Sequence, residues 1–335
     1  MNKKDLGLLV LILVVGLGVY LKNPLFLSPN NLANTANLIG LFGLFAIGQG
    51  FVIITGGIEL SVGSMIALLG VLFVDMVGNK GVPWPIAMAV VIVLGLALGL
   101  AHGLLITKLK MQPFVVTLCG LLIYRGIARG YTADATAGFP FGSVYPGLDF
   151  FVARYFGIPV SVYVLAVVAV IAWFTLHRSV FGRYLFAIGK NEEAARFSGI
   201  RTDLVVTSAY VICAGLTALA AIFFAMYTRS VQPSSQGKFY ELYAIAAAVL
   251  GGFSLRGGEG SIVGVILGTI LLQELQNLVN LLGIPSSLNF AVMGGVILIG
   301  VIVDQQWGAI RARRRIVEAA RGTPTATTSP EREVS

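Results

Sequence analysis

The feature that most constrains this chain is a series of long apolar runs. Crossing a bilayer takes about 20 consecutive apolar residues in a helix, with a range near 17–25. We interpret ten runs as spans: 6–21, 38–55, 62–77, 85–105, 114–131, 160–176, 205–227, 240–253, 262–282 and 288–303. A lone strand cannot satisfy its backbone in lipid, so each run predicts a helix. The predicted fold is an all-α, polytopic integral membrane protein.

The number of spans stays open by one in either direction. The eighth run is short and rich in alanine, and only a few residues separate the second run from the third. Nine or eleven spans therefore remain possible. The first run follows two lysines like a signal peptide, but no clean cleavage site follows it, so we expect an uncleaved helix.

Composition supports lipid as the solvent for much of the surface. Charged residues are 11% of the chain and hydrophobic residues 57%, whereas soluble domains carry roughly 25% charge. Too few polar residues remain to cover a water-exposed globule. A soluble enzyme and a disordered chain are excluded. Cys119 and Cys213 both fall inside apolar runs, so a disulfide framework is not indicated.

The placement of charge predicts topology. With the N-terminus in the cytoplasm and ten spans, the cytoplasmic side holds 16 of the 23 lysines and arginines and the outside holds 7, Arg125 and Lys238 among them. Positive residues accumulate on the cytoplasmic side of membrane proteins. Both termini are therefore expected inside, and the net charge of +8 indicates topology and no nucleic-acid partner.

We expect one transmembrane domain over residues 1–310, followed by a basic, disordered cytoplasmic tail over 311–335. Two connections in this domain are long: an external loop at 132–159 and a cytoplasmic loop at 177–204. The first arginines of the tail are interpreted as a stop-transfer anchor, with binding to anionic membrane lipid as the alternative.

The cytoplasmic loop contains a short amphipathic helix that ends in a glycine. Two alanines allow close packing against a partner, charged residues offer ion pairs at the edge, and the glycine suits a left-handed helix end. The candidate docking residues are Glu192, Glu193, Ala194, Ala195, Arg196 and Gly199. An ordinary solvated helix at the membrane surface is an equal alternative.

Four stretches in order resemble one protein family. The cytoplasmic motif EAA, followed by three residues and a glycine, resembles the loop of ABC-importer permeases. TGGIELSVG at 55–63, QPFVVTL with IYRG at 112–126, and LGGFSLRGGEGS at 250–261 resemble the ribose-type sugar permeases, as does the whole loop at 181–200. The resemblance covers about residues 30–305. Glu59 departs from the family's usual aspartate but keeps the charge.

The resemblance implies a mechanism and a set of partners. The chain would be a multi-pass subunit in a bacterial inner membrane, importing a ribose-like pentose or related sugar. A cytoplasmic ATPase subunit would bind the EAA loop and hold ATP and Mg, so no cofactor is expected in this chain. A second permease copy or a homologue would complete the path. An extracytoplasmic sugar-binding protein would deliver the solute, and we expect the 132–159 loop to contribute to its docking surface.

A glycine-rich break separates the second and third spans. Its glycines permit a tight turn, Ser61 is a reasonable helix N-cap, and the dipole of the following helix favours Glu59. We favour a tight cytoplasmic hairpin here, with a broken helix lining the route as the alternative. A similar pattern near 251–261 hints at an internal repeat. The structural glycines are Gly56, Gly57, Gly63, Gly251 and Gly252.

Polar side chains inside the spans are candidates for the translocation path. Four amides of the ninth span recur every three to four residues and so share one helix face; amides suit neutral polyols, although hydrogen bonding between helices is the favoured alternative. The full candidate set is Gln49, Glu59, Ser61, Thr117, Tyr124, Gln273, Gln276, Asn277 and Asn280. Glu274 lies off this face and needs a partner or water. Asp75, Glu241 and Asp304 are expected at the interfaces.

Several chemistries have no sequence support. The phosphate-binding pattern G-x-x-x-x-G-K-[ST] is missing, neither histidine belongs to a metal-ligand cluster, and no catalytic site or proton relay is evident. We therefore predict no enzymatic activity in this chain. A stand-alone secondary transporter or channel is the main alternative, and an intramembrane enzyme is a second. Within the family, a nucleoside, a branched-chain amino acid or a furanose signal molecule could replace the sugar.

Overall fold

The structure is a computed structural model that describes residues 3–140 and 142–285, together with positions 288, 291, 294, 295 and 298. The tenth predicted span at 288–303 is therefore outside the described residues except for those positions. The tail at 311–335 and Asp304 also lie outside them.

The described part of the chain is built from eleven α-helices. They are α1 (Lys3–Lys22), α2 (Pro29–Ile54), α3 (Val62–Gly78), α4 (Trp84–Thr107), α5 (Pro113–Thr132), α6 (Val160–His177), α7 (Val180–Lys190), α8 (Glu192–Phe197), α9 (Thr202–Thr228), α10 (Tyr240–Leu250) and α11 (Ile262–Leu281). Four two-residue strands join them: β1 (Ala137–Gly138), β2 (Arg154–Tyr155), β3 (Ile158–Pro159) and β4 (Ser230–Val231). Short 3-10 helices occupy Pro24–Leu27 and Leu148–Val152.

Seven of these helices are long and apolar enough to cross a membrane: α1, α2, α4, α5, α6, α9 and α11. Two more apolar helices, α3 and α10, have only 17 and 11 residues. Each of the first nine predicted runs falls on one of these nine helices. The prediction of a polytopic helical membrane protein is confirmed. The two short helices are the main difference from the predicted spans.

The centre of the bundle is α9, against which α2, α3 and α4 pack. Small residues permit the close approach of α4: methyl groups on Gly95, Gly99 and Gly103 would lie 2.6–2.7 Å from atoms of α9. In lipid the hydrophobic effect does not drive helices together. Small residues at an interface stabilise it instead through van der Waals contact.

The helix α3 begins halfway along this bundle. Its Gly70 lies beside the carbonyl of Ala221 in α9, and its last residue, Gly78, lies beside β1, which pairs with β4 directly after α9. The two helices therefore run in the same direction, and Val62 is level with Cys213. That level is about 17 Å from the start of α9, which is about 40 Å long.

The helix α10 also begins in the interior. Gly237, which precedes it, packs so closely on Gly63 that a methyl group on either glycine would overlap the other's backbone. The chain therefore leaves β4, turns back into the bundle over residues 232–239, and only then forms α10. The eighth predicted span is wrong as a full crossing, because α10 has 11 residues. Glu241, expected at an interface, is instead 7% exposed at this interior start.

The two long connections cover opposite ends of the bundle, which we call the outer end (holding 132–159) and the inner end (holding 177–204). At the outer end, β1 pairs antiparallel with β4 and β2 with β3. The indole of Trp84 donates to the Pro146 carbonyl at 2.9 Å and ties this segment to α4. At the inner end, the segment forms α7 and α8.

Candidate translocation site and coupling surface

The chain between α2 and α3 carries a carboxylate that is almost entirely buried. Glu59 is 2% exposed, and its Oε1 accepts hydrogen bonds from the Ser61 backbone N–H at 2.7 Å and the Ser61 hydroxyl at 2.6 Å. Ser61 occupies the N-cap position of α3 but makes no side-chain capping bond. Ser61 thus occupies the predicted N-cap position, but its hydroxyl donates to the carboxylate and does not cap the helix.

The other carboxylate oxygen connects Glu59 to two further helices through hydrogen bonds. Glu59 Oε2 lies 2.7 Å from His102 Nδ1 in α4, and His102 Nε2 lies 2.7 Å from the Tyr124 hydroxyl in α5. His102 is 2% exposed. A carboxylate, an imidazole and a phenol thus form one hydrogen-bonded chain across three elements. The sequence predicted no role for His102, and the structure corrects that expectation.

Two further side chains hydrogen-bond to the backbone of this loop, and a third packs against it. The Gln49 amide, in the orientation that satisfies both of its ends, donates to the Glu59 carbonyl at 3.1 Å and accepts from the Glu59 N–H at 3.2 Å. The Thr117 hydroxyl donates to the Ile58 carbonyl at 3.2 Å. The Tyr210 hydroxyl of α9 is buried against Gly57 and makes no hydrogen bond within the part of the chain that the structure describes. We call Gln49, Glu59, Ser61, His102, Thr117, Tyr124 and Tyr210 the break cluster.

The break cluster overturns the favoured hairpin at the membrane surface. Val62 is level with the middle of α9, and Gly57, Glu59 and Ser61 are buried, so the chain is interrupted inside the bundle. Helices broken at this depth, with polar groups gathered at the break, are typical of transporter binding regions. Five of the nine predicted path residues meet here.

The hydrogen bonds of the cluster join elements that are distant along the chain. The Ser61 hydroxyl donates to a carboxylate that also contacts His102. With its protein partners already in place, the cluster links α3, α4 and α5 across the break.

The four predicted amides of α11 lie elsewhere. The Asn277 side chain donates to Asn31 Oδ1 and Thr35 Oγ1, each at 2.7 Å, near the outer end of α2. Gln273 is 3% exposed, and its Oε1 finds no hydrogen-bond partner among the described residues; Gln276 is partly buried and Asn280 is exposed. Asn277 makes hydrogen bonds between helices, which was the favoured alternative. Glu274 Oε2 is buried, and no described residue hydrogen-bonds to it.

Two of the predicted structural glycines require a left-handed backbone: Gly56 with φ +82° and Gly252 with φ +89°. Gly63 and Gly251 are instead needed for close approach, to Gly237 and Gly264 respectively. A methyl group on Gly57 would lie 2.5 Å from the Tyr210 hydroxyl. Each of the five glycines therefore has a local steric reason.

The predicted docking helix exists as α8, capped by Asn191, whose Oδ1 accepts from the Ala194 N–H at 2.9 Å. Gly199 ends it with φ +82°, as expected. Glu192 pairs with Arg196 at 2.6 Å. Ala195 is only 5% exposed, so its predicted packing against a partner is wrong, because it faces the protein's own interior.

The free face of α8 combines a charge and an aromatic ring. Glu193 and Ala194 are exposed, and Phe197, one turn from Glu193, is 92% exposed. Sequence reasoning missed Phe197, although a phenylalanine next to the motif was a visible signal. We call Glu193, Ala194 and Phe197 the docking face.

Two contacts join α7 and α8 to the elements that carry the break cluster. Asp203 at the start of α9 accepts from Lys108 at 3.1 Å and Lys110 at 3.2 Å, between α4 and α5, and lies 3.7 Å from Arg196 of α8. The second link is backbone: the Gly258 N–H donates to the Ile54 carbonyl at 2.8 Å. Gly189 of α7 packs on the same two atoms, and a methyl group there would overlap both.

The chain is a multi-pass helical bundle with a buried polar break and a surface helix at one end. This arrangement defines a membrane-transport protein. The chain belongs to the family of branched-chain amino acid transport system permease components, whose model matches residues 31–301.

Three curated relatives show how far the similarity extends. The chain is 42% identical to the ribose import permease of Bacillus subtilis, over 91% of this chain and 92% of the relative. It is 39% identical to the ribose import permease of Escherichia coli, over 91% and 94%. It is 32% identical to the D-allose transport system permease of Escherichia coli, over 88% and 90%. No solved structure matches the chain.

Proposed function

We propose that this chain is the membrane-spanning subunit of an ATP-driven importer that carries a monosaccharide, a ribose-like pentose or a related sugar, into a bacterial cell. The observation that carries the proposal is similarity along 91% of the chain to ribose import permeases. In this proposal the chain lies in the inner membrane with both termini inside, so the inner end of the bundle is cytoplasmic.

Transport requires the bundle to change shape around the solute, and the break cluster supports a role in that change. Glu59 connects the start of α3 to His102 in α4 and through it to Tyr124 in α5. We assign the cluster to holding these three elements in one arrangement. Interfaces that switch between arrangements are bistable and are not continuously deformable.

Energy is proposed to enter from a cytoplasmic ATPase subunit bound to the docking face. The ion pairs of Asp203 connect α8 to the chain that follows α4, and the backbone junction of Gly189, Ile54 and Gly258 connects α7 to the end of α2, directly before the break. A displacement of α8 would therefore reach the break cluster through packed atoms. ATP and Mg belong to the partner in this scheme.

Two other partners complete the proposal. A second copy of the chain or a homologue would supply the other half of the path. An extracytoplasmic sugar-binding protein would dock at the outer end, where segment 132–159 is folded by two strand pairs and the Trp84 bond.

Solute competition tests the substrate class. The chain, expressed with its ATPase and binding protein in cells that lack their own ribose uptake, is expected to import labelled D-ribose or another aldose. Unlabelled monosaccharides should compete and uridine or leucine should not. Uptake that only a nucleoside or an amino acid inhibits would contradict the sugar assignment.

A charge reversal tests the coupling assignment. Glu193→Lys should abolish uptake and co-purification of the ATPase while the protein still inserts, because Glu193 lies on the exposed docking face. Glu331→Lys, the same change in the tail, is the matched control and should transport normally. Normal uptake by Glu193→Lys would remove the docking assignment.

A further inference from the structure

Residues 232–239 form irregular chain inside the bundle, which the sequence did not predict. Gly237 packs on Gly63, the second residue of α3, which lies about 22 Å along α3 from its outer end. Val231 packs on Gly70, about 12 Å from that end. Residues 232–236 connect these two levels.

The segment is held at this depth by α5. Arg125, the thirteenth of the 20 residues of α5, donates through Nη1 to the carbonyls of Pro233 at 2.8 Å and Gln236 at 2.6 Å. Glu241, at the start of α10, attracts the Arg125 charge electrostatically. Arg125 was counted among the positive residues of the outer side, although it falls within the predicted run 114–131; in the structure it lies within α5 and satisfies the turns of this segment.

Although it lies deep in the bundle, the segment exposes polar groups. Ser234, Ser235 and Lys238 are exposed, and Gln232 and Gln236 are partly exposed. Thr136, also exposed, donates to Gln232 Oε1 and extends the polar surface toward the outer end. Lys238 contacts the ring of Phe239 at 5.3 Å, and the described residues place no carboxylate within salt-bridge distance of it.

Lipid cannot face such a surface. Irregular backbone at membrane depth is tolerated only where protein buries it or water lines it, and an exposed lysine there is costly in hydrocarbon. The exposure of Ser234, Ser235 and Lys238 shows that the described residues of this chain do not bury the segment. We propose that residues 232–239 line the aqueous route, and that their hydroxyl and amide groups contact a neutral, hydroxyl-rich solute.

The chemistry of the surface favours that solute class. Hydroxyls and amides both donate and accept hydrogen bonds, as polyol recognition requires, and the single cation offers donors only. An anionic solute would be drawn to clustered arginines, but Arg125 is occupied by backbone carbonyls. This inference rests on the proposed function for the existence of a sugar route, whereas the water lining can be tested separately.

Thiol accessibility tests the lining. Ser234→Cys and Ser235→Cys, in membranes without added solute, should react with a charged, membrane-impermeant methanethiosulfonate at least tenfold faster than Leu122→Cys. Leu122 is 64% exposed on α5 and so controls for a lipid-facing position at comparable depth. Reaction no faster than that of Leu122→Cys would overturn the proposal, as would disulfide formation between two Ser234→Cys copies, which would make the segment a subunit interface.

Kinetics test the solute contact. The double change Ser234→Ala and Ser235→Ala should raise the KM for D-ribose uptake several-fold with little change in maximal rate, as expected when a binding contact is lost. An unchanged KM would overturn the contact. If no sugar is imported by the unaltered importer, the proposed function fails, yet the labelling rates still decide whether water reaches the segment.

Discussion

At the residue scale, the proposed mechanism depends on one buried carboxylate. Glu59 accepts from Ser61 twice and meets His102, and both Glu59 and His102 are 2% exposed. A carboxylate in such a place persists only when its partners replace water. The strength of the break cluster therefore depends on His102, which the sequence left without a role.

A double-mutant cycle measures this dependence. His102→Ala should lower the stability of the purified protein by about 3–5 kcal/mol, because it leaves a buried charge without one partner. Adding Glu59→Gln should cost less than the sum of the two single changes. Thermal unfolding in detergent checks the cycle, and strictly additive effects would mean that the two side chains do not interact.

The α11 amides give a contrasting prediction at the same scale. Asn277→Ala removes bonds to Asn31 and Thr35 near the outer end of α2. Hydrogen bonds between membrane helices average about 0.6 kcal/mol, so stability should fall slightly and sugar uptake should persist. A large rise in KM for D-ribose would instead return Asn277 to the translocation path.

Sequence reasoning found Gln49, Thr117 and Tyr124 because polar residues inside apolar runs stand out, and it found Glu59 and Ser61 because they follow the glycines of the break. It could not show that His102 meets Glu59, since the two lie 43 positions apart and carry no pairing signal. A usable clue existed: an ionisable residue inside a span needs a partner. Applied to His102, Arg125 and Glu241, that rule indicates an interior polar region.

At the element scale, two short helices with N-termini facing each other define the fold's interior. Hydropathy detects apolar runs but does not show at what depth in the membrane a run begins. The helices α3 and α10 were therefore predicted as ordinary spans. Their meeting point is a contact between Gly63 and Gly237 that has no room for a side chain. The close approach fixes both the break and the segment 232–239.

A single methyl group tests this contact. Gly63→Ala should destabilise the protein by about 1–3 kcal/mol or more, because the new methyl overlaps the backbone of Gly237. Gly126→Ala is the matched control: Gly126 is helical, a methyl group added there would meet nothing within 4 Å, and alanine favours a helix. Equal folded yields of the two variants in membranes would contradict the contact.

The docking helix provides the second element-scale prediction. Phe197→Ala should weaken association with the ATPase by about 2 kcal/mol, as for an aromatic anchor, or about thirtyfold. The stability of the chain itself should not change, because Phe197 is 92% exposed. Phe174→Ala, at a 62% exposed position on α6, controls for loss of an aromatic ring. Unchanged ATPase affinity would remove Phe197 from the docking face.

At the scale of the whole molecule, the inner and outer ends are connected through the bundle. Asp203 and the Gly189 junction link α7 and α8 to the region of the break. Next to the break, Gly63 contacts Gly237 of segment 232–239. That segment is connected to β4, which pairs with β1 at the outer end. Class and fold were predictable because apolar runs and four motifs carry them. The connections were not, because they join residues distant in sequence through backbone contacts.

The most direct test of the central claim is D-ribose uptake into proteoliposomes that contain this chain and its ATPase, with the binding protein supplied at the outer end of the bundle. We predict accumulation against a gradient that requires both ATP and the binding protein, and that is lost in Glu193→Lys. Uptake that proceeds without ATP, or that is driven by an ion gradient alone, would contradict an ATP-driven permease and favour a secondary transporter.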